Sequence, residues 1–331
     1  MQKRIITLGE IMMRFSTQAH ERFIQAQDYQ MVFGGAEANV AASLAHWGFS
    51  AAHVTAFPEN DLGKAARNYL RSSGIDTSYV HFTEGRMGMY FLEKGAMQRP
   101  SKVIYDRKYS AFSLLDSSLL NWEEVFEGAD WFHWTGITPA VSASAALLCL
   151  DAVDAAHRQG VLISGDINYR RNLWQYGKSP LDILPELIKR TDVVIAGLTD
   201  FQNCMGIIEE DYTRACIRAQ EMFPSIKKIA TTHRDAISSS HNSLEAVLWD
   251  GERLLTSKHY DMHDIIDRVG GGDAFMAGLI YGLLHMNDQD ALEFAVASAV
   301  LKHSIPGDKN YVTVEEVNHL IKGENIGKLL R

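Results

Sequence analysis

The sequence predicts an α/β fold: a mostly parallel central sheet covered by helices on both faces, with a small β-sheet lid inserted near the start. Three observations predict it. After residue 125, short apolar runs alternate regularly with helical patterns, as strands joined by right-handed crossovers do. Before that, residues 11–33 and 87–107 read as strand following strand, which is material for a second, smaller sheet. No internal repeat, low-complexity tract or linker divides the 331 residues, so residues 1–331 read as one domain with the lid strands built into it.

In chain order, Arg4 to Leu8 reads as a short buried strand, Ile11 to Phe15 continues extended, and Tyr29 to Phe33 is a third strand leading to Gly34-Gly35. A helix from Ala36 to Trp47 stops at Gly48. Ala51 to Phe57 is a strand, and Asp61 is read as the cap of a helix with Leu62, Ala65, Ala66, Tyr69 and Leu70 as its apolar face. Met89 to Glu93 and Val103 to Asp106 flank a turn at Gly95–Pro100 and make the lid hairpin. Strands then follow at Trp131–Trp134, Val161–Ile167, Asp192–Ala196 and Lys228–Thr232, separated by helices from Ser142, Leu181 and Asp211. Ala246–Trp249 and Arg253–Ser257 flank Asp250-Gly251, a hairpin signal. Helices from Ala274, Asp290 and near Val314 close the chain.

Composition narrows the function classes. With 46% hydrophobic residues, 22% charged residues and a formal charge of −9, the chain reads as an ordinary globular protein without the basic surface that nucleic acid or an anionic membrane would need. Anionic small molecules would have to meet local arginines. No apolar run approaches the ~18 residues of a membrane span, and the stretch MQKRIITLGEIMMRF, without a long apolar segment or small-residue cleavage site, does not read as an export signal. Cys149, Cys204 and Cys216 show no C-x-x-C spacing and read as buried free thiols, which suits a reducing cytoplasm. The 13 histidines lack H-E-x-x-H spacing, and His133, between Trp131 and Trp134, reads as a core residue.

The most distinctive stretch is Asp267-Arg-Val-Gly-Gly-Gly-Asp-Ala-Phe-Met-Ala-Gly278. Three glycines without Cβ atoms can turn their N–H groups toward one point, and the helix that follows adds the positive end of its dipole. That point suits an anion. Asp273 would repel a resting phosphate, but it could take a proton from an alcohol that attacks phosphorus while the N–H groups hold the developing charge. The same residues also read as a helix cap on a flexible loop. No G-x-x-x-x-G-K-[ST] loop or G-x-G-x-x-G fingerprint offers another phosphate cradle.

Asp267 to Gly278 resembles the D-x-x-G-x-G-D signature of the ribokinase-like (PfkB) sugar kinases, and Gly34-Gly-Ala-Glu-Ala-Asn-Val-Ala-Ala-Ser-Leu-Ala-His-Trp-Gly48 resembles the family's first signature. The resemblance covers nearly the whole chain. It implies a ribokinase-like three-layer fold, with ATP and Mg²⁺ as co-reactants, room for a monovalent cation, Asp273 as general base and Gly270, Gly271 and Gly272 as anion hole.

Two further segments, Tyr105-Asp106-Arg107 and Asp166-Ile-Asn-Tyr-Arg170 with Leu173-Trp174, read alone as a strand edge and a polar turn. Together they resemble the branch of the family that phosphorylates 2-keto-3-deoxygluconate at its 6-hydroxyl. That resemblance places Gly34 and Asn39 at sugar hydroxyls, Tyr90 and Tyr105 on the sugar, Asn168 beside it, and Arg107 and Arg170 at its carboxylate. A guanidinium grips a carboxylate with two parallel hydrogen bonds, which a neutral hexose could not return. Arg14 is a further candidate for the acid group and also reads as a solvated strand residue. For the nucleotide the resemblance points to Thr231, Gly270, Gly272 and Ser298. The family's N-x-x-E segment falls at Gly197-Leu-Thr-Asp200, where Asp200 could still act through magnesium-bound water but the Asn amide is missing. Other readings are a fructokinase- or ribokinase-type enzyme, or a sugar-acid sensor without turnover. An apolar lid face bearing Phe15, Met31, Phe33 and Phe91 suggests a homodimer.

Overall fold

The computed structural model describes residues 2–324. Its larger sheet has 10 strands: β1 (Arg4–Leu8), β4 (Ser50–Pro58), β5 (Val80–Thr83), β8 (Trp131–Thr135), β9 (Leu162–Asp166), β10 (Val193–Ile195), β11 (Lys228–Ala236), β12 (Asn242–Trp249), β13 (Leu254–Thr256) and β14 (Tyr260–Met262). They run in the order β13-β12-β11-β10-β9-β8-β1-β4-β5, with β14 also on β12. Every pairing from β11 through β5 is parallel, and only β12 with its neighbours is antiparallel. The smaller sheet holds β2 (Met12–Thr17), β3 (Tyr29–Gly34), β6 (Gly88–Glu93) and β7 (Lys102–Asp106) in the order β3-β2-β6-β7. This is the ribokinase-like α/β fold with its separate small sheet.

The central strands are buried on both faces, which is why they read as continuous apolar runs rather than alternating ones. Separate cores lie on the two sides, one around Phe132, Trp134 and Leu148, the other around Phe275, Leu279 and Leu292. The helix Gly271–His285 is seated against the helix Asp288–Lys302 through two close approaches. A Cβ on Gly278 would lie 2.7 Å from the Ala295 Cα, and one on Gly282 2.5 Å from the Ala291 Cα. That packing fixes where the glycine-opened end of the first helix points.

Several elements differ from the sequence reading. Asn60, not Asp61, caps the second helix, its Oδ1 accepting from the N–H groups of Leu62 and Gly63 at 3.0 and 3.1 Å. The buried face is consequently Gly63, Ala66 and Leu70, while Leu62 and Ala65 face solvent. Strand β11 reaches further than its apolar portion because its outer end, with His233, Arg234 and Asp235, is polar and exposed, whereas β12 begins earlier, at Asn242 and Ser243, which are polar but buried. Short β5 and β14 carry too few residues to announce themselves.

The lid alternates as a pleated sheet must. Across it, Ile104, Phe91, Phe15 and Met31 lie in one row of partners, while Tyr105, Tyr90 and Arg14 lie in the next. Phe33 does not belong to an open apolar face: it is buried against Tyr69, with ring centroids 5.3 Å apart. Met31 and Ile104 stay exposed. All three cysteines are free and buried. Among the described residues, no helix is long and apolar enough to cross a membrane.

Candidate active site

A cleft of about 1450 Å³ opens between the carboxyl ends of the parallel strands and the lid. That position follows from topology, since loops leaving the ends of parallel strands converge there. Gly34, Asn39, Tyr90, Tyr105, Arg107, Asn168 and Arg170 all line it, as do Asp200, Thr231, Gly270, Gly272 and Asp273.

Gly270 caps the helix Gly271–His285 with a φ of 83°, the left-handed region that glycine occupies without strain. A Cβ there would also lie 2.0 Å from the Asp308 carbonyl oxygen, and one on Gly271 2.6 Å from the His303 ring. Gly272 has open space on its Cβ side. Gly270→Ala is therefore expected to cost about 2 kcal/mol or more, seen as a lower melting temperature. Gly272→Ala should keep or slightly raise the melting temperature, since alanine is the better helix former. It should nevertheless lose turnover, because its methyl enters the cleft. A melting curve and an assay on the two variants separate the roles.

Asp273 accepts a hydrogen bond from Asn39 Nδ2 at 2.7 Å, which joins the two signature segments directly. Its carboxyl is pushed up to about 7, mainly by burial and further by Asp308 and Glu37, against the Asn39 bond and Lys302. Asp166, at the end of β9, rises to about 8 through burial and through the neighbouring Asp200 and Asp273, with Arg170 opposing. Three carboxylates thus crowd one part of the cleft, and a divalent cation would relieve that repulsion. Asp200 is held in place by the N–H groups of Gly197 and Tyr169 at 2.8 and 3.2 Å. Asn168, with a φ of 40°, turns its amide toward Asp166 at 3.4 Å.

On the lid side, Arg107 is engaged by Glu10, Nε at 2.8 Å and Nη2 at 2.6 Å from the same oxygen, Oε2. The other oxygen, Oε1, is buried and has no protein partner. Arg170 is exposed in the cleft. Tyr90 gives its hydroxyl to Asp308 and packs on Tyr105 with centroids 5.8 Å apart. Gly34 must be glycine for the same neighbour: a Cβ would lie 2.0 Å from Asp308 Oδ2.

Two expectations are corrected. Arg14 is neither solvated nor in the cleft; it is 1% exposed and bonded to Asp267 and Asp308 at 2.6 Å each, because a buried guanidinium needs carboxylates at both ends. Ser298 is wholly buried, accepts from Asn310 Nδ2 at 3.1 Å and does not line the cleft, since it sits mid-helix on the packed side.

Other cleft residues escaped the sequence reading. Asp166 stood inside the D-x-N-x-R segment, and its place at a parallel strand's carboxyl end was the available signal. Glu10 and Glu37 follow apolar or glycine-rich stretches that gave no charge pattern. Glu37 is buried and accepts from the Thr135 and Thr138 hydroxyls at 2.7 and 2.6 Å. Arg234 lies on the exposed end of β11, beyond the strand end expected at Thr232.

Comparison with known proteins agrees with this geometry. A 2-dehydro-3-deoxygalactonokinase of Haloferax volcanii is 28% identical over 328 residues, covering 99% of each chain. A 2-dehydro-3-deoxygluconokinase of Bacillus subtilis is 26% identical, covering 94% of this chain and 93% of its own. The crystal structure of 2-dehydro-3-deoxygluconokinase from Thermotoga maritima superposes with a TM-score of 0.93 at 38% identity, covering 97% of this chain and 100% of that one. Residues 2–312 match the pfkB family carbohydrate kinase profile, so both signature segments, the fold and the cleft they build are those of a member: the chain belongs to the PfkB family of carbohydrate kinases.

Proposed function

We propose that the protein transfers the γ-phosphoryl group of ATP to the terminal 6-hydroxyl of 2-keto-3-deoxygluconate. The observation that carries the reading is Asp273: a carboxyl with a pKa of about 7, bonded to Asn39, beside the glycine-opened N-terminus of a helix. In this reading Asp273 takes the proton of the attacking hydroxyl, and the N–H groups of Gly270 to Asp273 hold the oxygens of the transferring group. Binding alone would not call for an acid beside an anion hole.

The names of the relatives support a keto-deoxy sugar acid as acceptor. Arg170, open to the cleft, is the group placed at its carboxylate; Arg107 acts in partnership with Glu10, whose unpartnered Oε1 suits a sugar hydroxyl. Asn39, Tyr105 and Asn168 complete the sugar end, and Thr231 with the glycine loop the nucleotide end. The donor set of Asp166 and Asp200 fits magnesium held through its waters, with Asp200 occupying the place of the family's Glu. Bound there with the nucleotide, magnesium supplies neutralisation of phosphate charge. The lid, closing over the sugar, excludes water as a competing acceptor. Its exposed Met31 and Ile104 support pairing of two lids, and a monomer by size at micromolar concentration would rule that out.

The test is ADP release with magnesium and ATP against 2-keto-3-deoxygluconate, its galactonate epimer, gluconate, fructose and ribose. Turnover confined to the keto-deoxy acids is expected. Arg170→Ala should raise KM for them at least tenfold with a smaller change in kcat, since a charged contact made equally in ground and transition states is lost. Turnover on fructose or ribose at comparable kcat/KM would overturn the substrate.

A further inference from the structure

The histidine spacing implied no zinc site, yet among the described residues the fold brings a set of metal-binding side chains together on the outer edge of the larger sheet. Strands β12 and β14 pair antiparallel, with Asn242 opposite Met262 and Ser243 opposite Asp261. One step along, His241 comes to stand across from His263, and strand alternation puts Asp261 and His263 on the same face. The two imidazole centroids are 4.0 Å apart. His241 Nε2 lies 2.7 Å from Asp261 Oδ1, and His263 Nε2 3.0 Å from Asp261 Oδ2. One potential ligand atom from each of the three residues lies within 4.8 Å of the other two.

We propose that His241, Asp261 and His263 form a binding site for one first-row divalent metal of the zinc class, separate from the catalytic cleft. Two imidazole nitrogens and one carboxylate oxygen are a donor set that zinc, nickel and copper prefer and magnesium does not. Zinc ligands sit about 2.0–2.2 Å from the ion, so small side-chain rotations let it replace the protons now shared between the rings and the carboxylate. Asp261 and His263 are largely exposed, so the ion can enter and water can complete its coordination.

The site has a structural consequence because of what adjoins it. Ser239 and Ser240, just before His241, line the catalytic cleft, as do Asp264, Ile265 and Ile266, just after His263. The Ile265 N–H already donates to the Ser240 carbonyl at 3.0 Å. Ser239 in turn holds the lid's turn, its N–H donating to the Met97 carbonyl at 2.8 Å and its hydroxyl to the Arg99 carbonyl at 2.7 Å. A metal bridging His241 and His263 therefore ties the two wall segments at their roots and steadies the seat of the lid.

Zinc chloride titrated calorimetrically into the chelator-washed full chain should bind at one equivalent and raise its melting temperature. His241→Ala and His263→Ala, each with an unchanged metal-free melting curve, should bind at least about tenfold more weakly. Hydrogen exchange at residues 237–241 and 263–267 should slow with zinc in the parent and not in the variants. Absence of saturable zinc binding, or binding of parental affinity in both variants, overturns the site; metal binding without the change in exchange overturns its effect on the cleft wall.

Discussion

Asp273→Asn is expected to lower turnover by about 10²–10⁴-fold while leaving the fold intact and, at neutral pH, stabilising it. The two effects have one cause. The native carboxyl titrates near 7, raised mainly by burial, whereas the unfolded chain would hold it near its ordinary value of 3.8. Between those values the native state binds the extra proton, so this group's contribution to stability is fully present below about pH 4 and fades as pH rises through 7. Asparagine carries no such penalty and can still accept from Asn39 Nδ2 through its amide oxygen. Melting curves should show the variant above the parent at pH 8 and level with it at pH 4. As the proposed base, Asp273 needs the opposite protonation state. The parent's kcat/KM should climb with pH up to about 7 and then level off, falling roughly tenfold from its plateau near pH 6. A variant retaining a tenth or more of parental turnover would remove Asp273 as the base, and equal stability at pH 8 would remove the burial argument.

How much of this was legible beforehand depended on the kind of signal. Parallel strands such as Trp131–Thr135 are buried on both faces and spell themselves as apolar runs, and Gly270-Gly271-Gly272-Asp273 announces a helix opening at an anion-sized point. What stayed hidden depends on partners far away in sequence. Arg14 looked like a strand residue in solvent because its carboxylates lie 253 and 294 positions further on. Arg107 looked free because Glu10, which holds it, sits 97 positions earlier behind an ordinary glycine. His241 and His263 flank the paired ends of β12 and β14, and β14 has three residues, too few to read as a strand. Local pattern shows what an element is; pairing of charge and of edge strands needs the third dimension.

Removal of Arg14 is expected to produce the largest loss of stability. Its guanidinium is bonded at 2.6 Å to Asp267, which leads into the glycine loop, and at 2.6 Å to Asp308, with Nε donating to Ser16 at 2.8 Å. Asp308 also accepts from the lid's Tyr90, while the Asp267 carboxylate takes the N–H groups of Val269 and Gly307 at 3.1 Å each. One buried guanidinium thus joins a strand of the small sheet to the glycine loop. Arg14→Met keeps the side-chain volume and leaves two carboxylates buried without their cation, at a cost of about 3–5 kcal/mol. For a chain of 331 residues that corresponds to roughly 4–7 °C in melting temperature. Asp308 is already raised by burial against the pull of Arg14, so loss of that cation raises it further. The variant then binds more protons folded than unfolded, and its deficit should shrink as pH falls from 8 to 5. Adding Asp267→Asn and Asp308→Asn to Arg14→Met should recover part of the loss at pH 8, because the two carboxylates left without the guanidinium are then neutral, while Lys302, buried beside them, loses their attraction and limits the recovery. Turnover should fall in every version that lacks the cation, since Gly34 and Gly270 both rest against Asp308 and move with it. A melting temperature within a degree of the parent would show that the buried ion pairs do not hold the lid to the loop.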